Sequence, residues 1–293
     1  MLIGRMKVAI FPLAFIALLA AIGRGGDLDV PVSGLVVDLD AKCGLTLEDG
    51  DRVVRWRSQA PTQEPVDFIK RDQGRDLAGS GRPTLRKDIG ALNGQPALVF
   101  CQQELVCLDE DRFDRLTTGS GHTWIAIVAP HPQRSGLKDV NSFFGNLRNG
   151  ENYEGLWACF NDDNTVWWGA RNGVTFGRFD ENNPKLSGPQ LEAGVFRLVA
   201  GRMAAGAGTV VLELFLDAAS PFARKDIKVN PNANPSRMAV GQERDAIQHP
   251  GVESFDGEIA RLLVWDRPLT DAELNLTMRR LRTLYFPNPT NHP

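Results

Sequence analysis

The sequence predicts an all-β protein: an antiparallel two-sheet jelly-roll sandwich closed by a C-terminal helix. Three observations carry this. Short apolar runs recur along the chain between Gly, Asn and Pro clusters. No helical periodicity lies between those runs, which excludes the strand-helix-strand order of a parallel sheet. One clear helical stripe stands at the end, where it can cover a sheet face. The chain has 293 residues, and single all-β sandwiches occupy roughly 200–250, so one domain accounts for most of it.

The chain opens with Arg5 and Lys7 before an apolar run from Val8 to Ile22, and Ala21-Ile22-Gly23 offers small residues for a processing peptidase. Residues 1–23 therefore read as a signal peptide, and the protein as secreted, periplasmic or envelope-associated. The rival reading is an uncleaved anchor, the one segment through which the chain would meet a membrane. The run falls short of the roughly 20 residues that span a bilayer, and Pro12 interrupts it. No Cys directly follows the run to carry a lipid.

A domain from about 27 to 286 follows, then a loose tail over 287–293. Leu35, Val37 and Leu39 alternate on one face of a first strand, and Val53–Trp56 forms the next. Thr123–Val128 and Val195–Ala200 have strand composition. Thr209–Leu216 alternates Val210, Leu212, Leu214 and Leu216, and Met203–Gly208 is the reversal before it. Gly257–Trp265 carries two apolar sets, Ala260/Leu262/Val264 and Ile259/Leu263/Trp265, interrupted only by Arg261. A strand apolar on both faces lies inside a layered structure. Thr270 and Glu273 form a capping box that opens a helix over about 271–284, whose stripe is Leu274, Met278, Leu281 and Leu284.

Gly257, Ile259, Trp265, Asp266, Arg267, Leu269, Thr270, Glu273 and Tyr285 reproduce a closing pattern, G-x-I-a-E-h-h-h-y-D-R-x-L-s-x-x-E followed by a helix ending near Tyr. Arg82-Pro83-Thr84-Leu85 and Asn93-Gly94-Gln95-Pro96-Ala97-Leu98-Val99-Phe100 fit the segment r-P-x-h…n-G-x-P-a-h-x-F. Leu35–Ala41 resembles the opening L-V-L-W-L-D-A. These motifs run from about residue 34 to 286 and resemble the laminin G-like, concanavalin A-like lectin/glucanase jelly-roll domains of bacterial secreted proteins. Two departures stand out: Arg261 occupies the family's acidic position, and the Ser-Gly loop after Trp56 reads Arg57-Ser58-Gln59. The resemblance implies a lectin-like module, and Ca2+ binding is known among laminin G-like domains.

The formal net charge is −3, and removing residues 1–23 takes away two cations and no anions. An acidic chain without a basic run gives no electrostatic basis for binding nucleic acid. Arg279, Arg280 and Arg282 lie near a helix C-terminus, where cations favour the dipole. The four cysteines, Cys43, Cys101, Cys107 and Cys159, match no zinc spacing and allow three complete pairings. Cys101 and Cys107 are close enough to bridge across a tight reversal, and that is the expected pair.

A glycosidase needs two carboxylates across the scissile bond, and retaining laminarinase-type members of the fold place them as Glu-x-Asp-x-(x)-Glu on one strand. No such string occurs; Glu151–Glu154 and Glu213–Asp217 lack the spacing. Thr117–Trp124 resembles a sialidase Asp-box, S-x-D-x-G-x-T-W, but Gly119 replaces the Asp and there is no repeat, so it reads as a turn entering a strand. His122, His131, His249 and His292 read as solvated loop residues without a nucleophile nearby.

The candidate site is the stretch Tyr153–Arg171. With Asp162-Asp163 as a two-residue hairpin turn, Trp157 stands opposite Trp168 and shares a face with Tyr153. Leu156, Ala158, Phe160 and Trp167 form the other, core face. An outward face with Tyr153, Trp157, Trp168, Asn161, Asp162 and Arg171 would stack the C–H face of a sugar and hold its hydroxyls. The alternative is that both faces are buried. Asn161-Asp162-Asp163-Asn164 also has the oxygens Ca2+ takes, although hairpin turns use the same residues for backbone reasons. The expectation is a non-catalytic, lectin-like module binding a polysaccharide or glycoconjugate. Its rivals are a structural or protein-interaction domain of the envelope and a glycan-cleaving enzyme.

Overall fold

The computed structural model describes residues 30–72, 81–134, 141–149, 152–175, 179–243 and 254–287. The signal-peptide segment, most of the tail, Glu151, His249 and His292 lie outside the described residues.

Strands β1 (Leu35–Asp40), β2 (Leu45–Glu48), β3 (Arg52–Arg57), β4 (Asp67–Lys70), β5 (Thr84–Arg86), β6 (Ala97–Cys101) and β7 (Leu105–Val106) lead to the long β8 (His122–Pro130). Then come β9 (Asn141–Gly145), β10 (Arg148–Asn149), β11 (Tyr153–Phe160), β12 (Thr165–Asn172) and β13 (Lys185–Gln190). The chain continues through β14 (Arg197–Met203), β15 (Thr209–Leu216), β16 (Pro221–Lys228) and β17 (Ala239–Val240) to β18 (Asp256–Trp265) and helix α1 (Asp271–Tyr285). Every ladder between these strands is antiparallel; an isolated Ser142–Ser254 bridge is parallel.

One layer runs β16-β15-β14-β8-β18, and the far edge of β18 is shared by β1 and β6. The second runs β13-β12-β11-β9-β17-β7-β4-β3-β2. Strand β5 pairs with both β6 and β3 and so joins the layers. Val37, Trp124, Leu156, Phe160, Trp168, Leu212 and Leu262 belong to the core between them. This is the antiparallel two-layer sandwich that the sequence predicts.

Strand β18 is buried throughout, as its two apolar sets require, but the sets are divided differently from the expectation. A register shift between Ile259 and Arg261 puts Ile259, Leu262 and Val264 in the inner core, and Ala260, Leu263 and Trp265 beneath the helix. The extra residue of this bulge also turns Arg261 outward. There its guanidinium meets the carboxylates of Asp38 (Nε–Oδ1 2.9 Å, Nη2–Oδ2 2.9 Å) and Asp40 (Nη1–Oδ2 2.5 Å). The Tyr285 hydroxyl donates to Asp40 at 3.2 Å. Arg261, at the family's acidic position, thus pins β1, β18 and the end of α1 together.

Helix α1 begins where the capping box places it: the Glu273 amide donates to Thr270 Oγ1, and the Thr270 amide to Glu273 Oε2. Leu274, Met278, Leu281 and Tyr285 are buried against the outer face of the β18 layer. Each such side chain contributes about 1.5–3 kcal/mol.

Candidate functional site

Hairpin β11–β12 departs from the expected register by one residue. Trp157 stands opposite Gly169, and Ala158 opposite Trp168. Asn164 takes a left-handed conformation (φ 63°), its amide donating to the Asn161 carbonyl, while the Asn161 amide donates to the Thr165 carbonyl. The connection therefore holds three residues, Asp162 to Asn164, instead of two. A three-residue hairpin connection characteristically ends on a left-handed residue, here Asn164. Because side chains alternate along a strand, one added residue moves every β12 side chain to the opposite face from the one expected.

Trp168 is consequently a core residue, packed edge-on against Trp124 (5.9 Å between centroids) and His122 (5.6 Å). Trp167, expected in the core, lies on the outer face of the β11 layer with Trp157, Cys159, Leu147 and the partly buried Tyr153. The outward platform of Tyr153, Trp157 and Trp168 does not form. Trp157 is itself 1% exposed, so the aromatic pair on this face is covered.

What the register assembles is an alternation of rings and cations. The Arg171 guanidinium lies 4.3 Å from the Tyr153 ring and 4.6 Å from that of Trp157. Trp157 meets Trp167 edge-on at 5.1 Å, and Trp167 meets Phe179 at 6.1 Å. The Lys185 ammonium sits 4.3 Å from the Trp167 ring and 4.8 Å from that of Phe179. Such contacts are worth about 0.5–2 kcal/mol each. Phe179, 37% exposed, and the half-buried Tyr153 and Lys185 form the rim open to solvent.

Glycines make room for this array. Gly145 and Gly169 are the cross-strand partners of Trp157 on its two sides. A Cβ on Gly145 would stand 2.7 Å from the Trp157 Cβ, and one on Gly169 would stand 3.5 Å from its ring. Lys185 is the partner of Gly169 on β13.

Of the six candidate residues, the structure brings Tyr153, Trp157 and Arg171 into contact. Asn161 joins the array by accepting from Lys185 Nζ at 3.4 Å. Asp162 belongs to the turn, and Trp168 is excluded. Trp167, Phe179 and Lys185 were missed, and the left-handed tolerance of Asn164 was the signal that could have found Trp167. The Ca2+ reading fits the turn poorly: the Asp163 carboxylate accepts from the Thr165 amide, and an ammonium already lies on Asn161. Among the described residues no three His, Cys, Asp or Glu side chains converge to hold a metal ion.

Other groups singled out in the sequence serve elsewhere. His122 is fully buried rather than solvated, with Nδ1 donating to the Leu116 carbonyl at 2.6 Å. Burial holds its pKa down to about 4, against that bond. His131 and Arg86 both donate to Glu258 Oε1, at 3.2 Å and 2.7 Å, on the opposite layer. Glu213 is ion-paired with Arg202 and Arg224.

The expected Cys101–Cys107 bridge is not formed, and no disulfide joins any of the four cysteines. Cys101 ends β6 opposite Asp256, whereas Cys107 follows β7 and is buried in the inner core. Strands β6 and β7 do not pair, so their thiols face different surroundings.

No known family's profile matches the chain, and no curated protein does. Among solved structures, it is similar to Trypanosoma rangeli sialidase in complex with a difluoro-KDN (16% identity, TM-score 0.51), covering 93% of this chain and 36% of the sialidase. The same sialidase in complex with sialic acid gives 15% identity and TM-score 0.51, with 86% and 34% covered. The CBM40 of a Ruminococcus gnavus IT-sialidase, bound to α2,6-sialyllactose, gives 17% identity and TM-score 0.46, with 66% and 97% covered. The chain thus spans about a third of the length of the sialidase it matches, and what the two share is the β-sandwich fold.

Proposed function

We propose that the protein is an exported, non-catalytic module that binds a polysaccharide or glycoconjugate through the outer face of the β11–β12–β13 sheet. The observation that supports this is the run Tyr153, Arg171, Trp157, Trp167, Lys185, Phe179, in which ring faces alternate with nitrogen donors. Rings stack on the C–H faces of a sugar, and adjacent donors fix its oxygens. The family resemblance of the sequence and its leader-like residues 1–23 support export and a lectin-like role. The sialidase sharing the fold was captured with sialic acid; the reading for this chain rests on its own residues.

The burial of Trp157 and Trp167 favours a second reading, that the face is packing in a structural domain. A glycan array with the folded protein, repeated with the rim variants Tyr153→Ala and Phe179→Ala, separates the two. The glycan reading expects binding that these variants weaken about 10-fold or more, with melting temperature nearly unchanged. A folded protein that binds no glycan leaves the structural reading. Release of reducing ends from mixed polysaccharides would refute the non-catalytic assignment.

A further inference from the structure

We draw no further inference here: the strongest candidate, the side-chain cluster of Cys101, Asp256, His131 and Glu258 at the start of β18, already has its carboxylates met by Arg86, His131 and Arg134, and the carboxylate oxygen left without a hydrogen bond, Glu258 Oε2, is buried, so nothing in the structure shows a ligand that the cluster would hold.

Discussion

Replacing Arg261 by Met removes the cation that holds two carboxylates under the end of helix α1. Arg261 is 5% exposed and bridges Asp38 with two nitrogens and Asp40 with a third. Asp40 also accepts from the Lys42 amide and the Tyr285 hydroxyl, so neither carboxylate can leave without undoing the β1–β18–α1 junction. Removing one partner of a buried ion pair costs about 3–5 kcal/mol, a large share of a domain's typical 5–15 kcal/mol. The pH dependence provides a second check. Burial raises the pKa of Asp38, and the Arg261 charge partly opposes that rise. Without Arg261 the folded-state value climbs further above the unfolded one, so the folded state binds more protons. Relative to wild type, the variant should therefore regain stability as pH falls from 7 to about 5, the His122 contribution being common to both. Urea unfolding of wild type and Arg261→Met at the two pH values measures both effects. Adding Asp38→Asn and Asp40→Asn should recover most of the loss. A loss below about 1 kcal/mol, or a deficit relative to wild type that grows on acidification, would refute the assignment of this cluster as a buried charge-balanced junction.

Deleting Asp271–Tyr285 should expose Leu263 and Trp265 and cause aggregation, and a soluble truncation with an unchanged melting temperature would contradict the packing. His122, neutral in the fold down to about pH 4, protonates in the unfolded chain near 6.5. Stability should therefore fall by up to about 3 kcal/mol as pH drops through that window, and His122→Gln should flatten the slope in calorimetric scans. Glu273 is held down to about 2, first by its bond from Arg267, so its contribution to the α1 cap should persist above its unfolded value near 4.5 and fade as pH falls toward 2. Far-UV circular dichroism of wild type against Glu273→Gln would follow that loss. Trp157→Ala and Trp168→Ala should each cost about 3–5 kcal/mol of folding stability, because both rings are buried; a melting temperature unchanged by Trp157→Ala would show that its ring is not packed.

Several features were legible without the structure because they depend on local chemistry. The capping box of Thr270 and Glu273 and the stripe Leu274, Met278 and Leu281 define α1 within a residue of its observed end. Period-two alternation defines β15, and the two apolar sets of β18 announce a strand covered on both sides. What sequence could not determine was parity. A single left-handed residue, Asn164, lengthens the β11–β12 turn, and a single bulge at Ala260 shifts β18; each moves side chains to the opposite face. The cost of one extra residue in a turn is small, so the choice falls to packing. Trp168 fits against Trp124 and His122 in the inner core, whereas Trp167 packs with Trp157 and leaves Lys185 and Phe179 around it. Pairings distant in sequence were likewise decided only by the tertiary fold. Arg261 meets Asp38 and Asp40 more than two hundred positions away, since only the closed β1–β18 ladder brings those charges out of water together. Sequence by itself determined the elements and the fold class; the interlayer packing decided which face each ring and charge occupies, because burial is a property of neighbours and not of spacing.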